Sequence, residues 1–114
     1  MTTKLVSERL KLGWCQGVSA KDKQRALVSP TSHEAVAWCF TGAIKAGYWE
    51  TDDPSKLLLF WEQAEVFVKE LWPLDEPVVE AFEWLPAWND DAERTQAEVI
   101  EMAIMVEAAL GLAP

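Results

Sequence analysis

Thr31-Ser32-His33-Glu34, running into Ala35-Val36-Ala37-Trp38-Cys39-Phe40-Thr41-Gly42-Ala43-Ile44-Lys45-Ala46, is the stretch that decides the fold. Pro30 precedes it, and a hydroxyl residue three positions ahead of a glutamate has the spacing of a capping box. Val36, Cys39, Phe40 and Ala43 then form one apolar stripe, and Ala35, Trp38, Gly42 and Ala46 widen it nearly all round. A helix apolar on most of its circumference is buried. The spacing therefore predicts a central helix over about 32–46, with the rest of the chain packed around it.

Outward from that segment the chain reads as more helices separated by punctuation. Residues 4–12 predict a short helix covered by Leu5, Val6, Leu10 and Leu12 and stopped by Gly13. Residues 14–17 read as a turn or short extended connector and 19–29 as a surface loop. Asp53-Pro54 has the acid-then-proline form of a helix start, and Leu57, Phe60, Trp61, Ala64, Phe67, Val68 and Leu71 recur at helical spacing up to Pro73. Asp75-Glu76-Pro77 predicts a shorter fourth helix to about Trp84, which Pro86 interrupts or follows, and then a loop over 85–93. Thr95-Gln96-Ala97-Glu98 is a second capping box, opening a last helix to about Leu110 with Val99, Ala103, Val106 and Leu110 inward. The expected fold is all-α, a compact bundle of about five helices forming a single domain over residues 1–114.

Composition limits the function. Half of the 114 residues are apolar, enough for one core and too few for two. The net charge of −9 opposes binding to a phosphate backbone, so direct nucleic-acid binding is not expected. The charge is lopsided, with seven Lys or Arg against three acids in residues 1–49 and three against fifteen in 50–101. Such a pattern either steers a basic partner or lets the two halves attract each other. No stretch has signal-peptide or membrane-span character, and Cys15 and Cys39 lack a CxxC spacing, so a reduced cytoplasmic setting is expected.

Seven tryptophans are the compositional outlier. Burying one is worth roughly 4–6 kcal/mol at about 25 cal/mol/Å², so most belong to the core. Those beside turns, Trp14, Trp49, Trp72 and Trp88, are placed for their indole N–H to meet water or a partner. Cys39, His33 and Asn89 are the residue types of a thiol hydrolase. On one helix, however, Cys39 and His33 would lie roughly 120° apart and about 9 Å along the axis, out of hydrogen-bond reach. Cys39 is read instead as a packed thiol. No metal site is expected, because one His and two distant Cys make no usual zinc set, and Asp52-Asp53, Asp75-Glu76 and Asp90-Asp91 lie where acids cap helices. No cofactor motif is present.

The segment Trp88-Asn89-Asp90-Asp91-Ala92-Glu93-Arg94-Thr95-Gln96 is the densest in hydrogen-bonding groups. It reads either as a recognition loop or as a turn folded by its own side chains. Together with Gly13-Trp14-Cys15-Gln16-Gly17, Ala35-Val36-Ala37-Trp38-Cys39, Gly42-Ala43 and Arg94-Thr95-Gln96-Ala97-Glu98-Val99, it resembles a small bacterial and phage domain family of unknown function. The resemblance implies a stand-alone domain with Trp14, Gln16, Trp38, Cys39, Asn89, Asp90 and Arg94 as family-like positions, and it brings no activity. The stretch 49–84 is outside that pattern.

The expected function is that of a non-enzymatic, cytoplasmic binding or accessory protein recognising a protein or small polar ligand, with no catalytic residues. Its binding residues are Trp14, Gln16, Trp88, Asn89, Asp90 and Arg94, and its structural ones Trp38, Cys39, Thr95 and Glu98. The alternatives are a small hydrolase using Cys39 or the Asn89/Asp90 loop, and an acidic inhibitor or nucleic-acid mimic. A tryptophan-rich chain of this size is also expected to be able to self-associate.

Overall fold

The computed structural model describes residues 5–49, 54–71 and 84–112. Among them are five helices and one two-stranded sheet. In chain order these are α1 (Val6–Leu12), β1 (Ala20–Lys21), β2 (Ala37–Trp38), α2 (Phe40–Trp49), α3 (Pro54–Leu71), α4 (Trp84–Asn89) and α5 (Gln96–Ala109). The architecture is the mostly helical bundle that the periodicity predicts. Helix α1 packs on α2 and α5, while α3 contacts α2, α4 and α5.

Phe40 is the centre of the core. It is fully buried, as are Leu10, Ile44, Phe60, Leu85, Val68, Val99 and Val106. Its ring meets Phe60 edge-on at 6.3 Å and Trp88 at 5.6 Å, so one side chain joins α2, α3 and α4. Aromatic pairs in such geometries add about 0.5–1.5 kcal/mol beyond the area they bury.

The central helix begins at Phe40, eight residues later than the reading over 32–46. Residues 29–36 contain hydroxyls that satisfy the local backbone in turns: Ser29 Oγ accepts from Thr31 N at 3.3 Å and Ser32 Oγ from Glu34 N at 3.1 Å. Ser and Thr compete with helical hydrogen bonding in this way, and here they form two tight turns where a capping box was expected. Backbone pairing then takes over. Val36 N donates to Lys21 O at 2.8 Å, Trp38 N to Gly13 O at 3.1 Å and Cys39 N to Ser19 O at 3.1 Å. Strand β2 thus runs antiparallel to β1, with Ala20 opposite Trp38, and Trp38 also forms a parallel bridge with Trp14. Val36, expected on the buried stripe, is 39% exposed in consequence. Trp38 remains buried, its indole N–H donating to Pro30 O at 3.0 Å.

Helix α3, described from Pro54 to Leu71, covers the segment where the spacing predicts it. Phe60, Ala64 and Val68 are buried, whereas Leu59, Val66 and Leu71 face outward. The expected fourth helix from Asp75 falls mostly on residues outside those described. The loop expected over 85–93 is corrected: α4 runs from Trp84 to Asn89 through Pro86. Pro86 lies inside that described stretch of helix, and its carbonyl accepts from Asp90 N at 2.9 Å.

Helix α5 begins at the predicted capping box. Thr95 Oγ1 accepts from Glu98 N at 3.3 Å, and Glu98 Oε1 accepts from Thr95 N at 2.9 Å. Those bonds, the backbone N–H of Thr95 first, hold the Glu98 carboxyl below its ordinary range. Val99, Ala103 and Val106 face inward as expected, and Leu110 is partly buried against them. Glu107 is a buried carboxylate that periodicity does not reveal. It accepts from Ser7 N at 3.0 Å and Ser7 Oγ at 2.6 Å, tying α1 to α5, and Gln96 Nε2 donates to Leu10 O at 2.8 Å at the other end of α1.

Candidate functional site

The turn 13–17, the start of α2 and the end of α4 meet at Asn89, which is completely buried. Its Oδ1 accepts from the Trp14 indole Nε1 at 2.8 Å and from Phe40 N at 3.0 Å. Its Nδ2 donates to Cys15 O at 3.2 Å and to Asp90 Oδ1 at 2.9 Å. Gln16 Nε2 reinforces the junction by donating to Asn89 O at 3.0 Å and Asp91 O at 2.8 Å. A buried amide with both ends used is a fixed point, because rotating it breaks every bond at once. Trp14, Gln16, Asn89 and Asp90, singled out by sequence, are therefore brought together.

The others sit around this point. Trp88 is buried beneath the Arg94 guanidinium, which lies 4.3 Å from its ring centroid, while Arg94 Nε donates to Trp88 O at 2.9 Å. Arg94 also pairs with Glu98 at 3.3 Å, which makes Trp88, Arg94, Thr95 and Glu98 one continuous brace from α4 into α5. Cys39 is buried at the N-cap of α2, a correction to its mid-helix placement. Its carbonyl accepts the first helical bond from Ala43 N, and its Sγ accepts from Gly42 N at 3.3 Å and lies 3.2 Å from Thr41 Oγ1. Cys15 is buried as well, and that burial, followed by the nearby Cys39, pushes its thiol up to about 11, leaving it protonated at neutral pH.

Beside the Asn89 junction lies a cavity of about 430 Å³ whose lining includes Gly17, Cys39, Thr41, Lys45, Trp61 and Asp90. Three elements build it. Thr41 and Lys45 are one turn apart on α2 and so share a face, Trp61 comes from α3, and Asp90 follows α4. Gly17 closes the rim with φ +83°, a left-handed conformation that disfavours a side chain, and its N–H donates to Asp90 Oδ1 at 2.9 Å. Asp90 is thus aimed by two donors. Of these lining residues, only Cys39 and Asp90 are singled out by sequence; Thr41, Lys45 and Trp61 carry no motif, and only the Gly17 turn hints at a built rim.

His33 lines a different concavity, with Asp22 and Glu34, so the His33 and Cys39 of the thiol-hydrolase reading do not share one. Among the described residues no three His, Cys, Asp or Glu side chains converge to hold a metal ion. Asp91, one of the acid pair considered for cations, accepts from Glu93 N at 2.9 Å and folds its own turn. No helix among the described residues is long and apolar enough to cross a membrane.

Fold and site together define a small helical domain whose turns are locked by one buried asparagine beside a charged cavity. The chain belongs to the Family of unknown function (DUF6197), whose model matches residues 6–108. That span contains every motif on which the resemblance rests. No curated protein and no solved structure matches the chain.

Proposed function

We propose that the domain is a cytoplasmic binding or accessory protein, of bacterial or phage origin and without a chemical step of its own, which takes a small polar ligand into the cavity beside Asn89. One observation carries this reading. The side chains of Trp14, Gln16 and Asn89 spend their donors on the protein itself, yet the frame they make holds open a concave space edged by Lys45, Thr41 and Asp90 with Trp61 as an apolar wall. Pockets of about 300–1,000 Å³ with a few convergent polar groups are the usual form of a small-molecule site. Of the expected binding residues, Asp90 then meets the ligand and Trp14, Gln16, Trp88, Asn89 and Arg94 position what does.

A small-molecule fragment library screened against the ¹⁵N-labelled domain tests this. Fragments that bind are expected to shift the Gly17, Thr41 and Lys45 amides and the Trp61 indole as one group. Shifts confined to another face, or none with any fragment, would refute the assignment.

A further inference from the structure

We infer that the cavity takes a small zwitterion, a free amino acid presenting its ammonium to Asp90 and its carboxylate to Lys45. This rests on the reading of the cavity as a ligand site and adds the chemistry of the ligand.

Lys45 lies on α2 and Asp90 in the turn after α4, and they line the same space, yet they do not pair with each other. Among the described residues the one ion pair within 4.0 Å is Arg94 with Glu98. Opposite charges left unpaired across a cavity match a ligand that carries both signs. Asp90 is also prepared for such a role: Gly17 N and Asn89 Nδ2 both bind Oδ1, and Oδ2 has no hydrogen-bond partner among the described residues. A carboxylate fixed through one oxygen presents the other in a defined direction, the arrangement an ammonium donor needs.

The carboxylate end is constrained by what α2 has already used. Phe40 N is taken by Asn89 Oδ1 and Gly42 N by Cys39 Sγ, so two of the donors that a helix N-terminus offers an anion are occupied from within. The anionic group is left to the Lys45 ammonium, on the same helical face as the Thr41 hydroxyl. A ligand with only negative charge meets Asp90 across the cavity and is repelled, and one with only positive charge meets Lys45. Trp61 supplies an apolar surface for the rest of the molecule.

Titration calorimetry of the full chain with each of the twenty free L-amino acids, followed by the N-acetyl and the carboxamide derivatives of the tightest binder, decides the matter. At least one amino acid is expected to bind, and blocking either end is expected to weaken it at least about tenfold, the size of one lost charged hydrogen bond. Lys45→Gln and Asp90→Asn are each expected to weaken it to a similar extent with the unfolding midpoint unchanged, since Asn at 90 retains the Oδ1 acceptor. Should either variant fail to fold, the blocked derivatives alone decide. A derivative that binds as tightly as its parent overturns the zwitterion assignment. So does a neutral or singly charged fragment shifting the Gly17 and Thr41 amides when no amino acid does, a result that leaves the cavity a ligand site. If no small molecule of any charge shifts those amides, both readings fall.

Discussion

Asn89→Ala is expected to cost about 3–5 kcal/mol of stability, the effect of a broken buried network and not of a lost surface contact. The truncation strands the Trp14 indole N–H, the Phe40 N–H and the Cys15 carbonyl, each of which now bonds to Asn89. A stranded group in a dry interior costs about 1–3 kcal/mol, and the three are coupled, so the total falls short of their sum. Urea unfolding of wild type and variant measures it. A loss below about 1 kcal/mol would mean that water enters and replaces the amide with ease.

Gly42→Ala carries the second large effect, and its sign is diagnostic. In an exposed helix the change to alanine stabilises by about 0.8–1 kcal/mol, because glycine is the poorer helix former. At Gly42 an added methyl runs into the carbonyl of Ser19, which is backbone and has little room to retreat. That same carbonyl accepts the Cys39 N–H, so pushing it away also loosens the join between the loop before β1 and the start of α2. Destabilisation of about 3 kcal/mol is expected, at the upper end for overpacking. A thermal midpoint that rises on this substitution would show that α2 does not approach the loop as described.

Both effects lie at places where sequence reading is weakest. Helices α3 and α5 are legible because amphipathic spacing and the Thr95–Glu98 box are local signals, complete within one or two turns. The start of α2 is not legible, because what ends the extended stretch is non-local: Val36 pairs with Lys21 and Trp38 with Gly13, choices that no window around residue 36 contains. Pro86, read as interrupting or following a helix that reaches about Trp84, lies within the described α4, so the loop expected from Leu85 is helical up to Asn89. Glu107 escapes notice because a glutamate among apolar neighbours reads as a surface residue until Ser7 of α1 is brought against it.

The site divides along the same line. Trp14, Gln16, Asn89, Asp90 and Arg94 stand out as polar groups beside turns, and they do converge, but most of their hydrogen bonds face inward. Lys45, Thr41 and Trp61 look like ordinary members of amphipathic helices. Only the packing of α2, α3 and α4 places them around one cavity, and a convergence of three helices leaves no spacing to find.

Native-state hydrogen exchange of the Trp14 indole N–H tests the frame most directly, since that proton is given to the buried oxygen of Asn89. It is expected to exchange only by global unfolding, at the same free energy as the Phe40 amide and the core amides of α5. Exchange of that indole at the rate of an exposed tryptophan, with α5 still protected, would contradict the account.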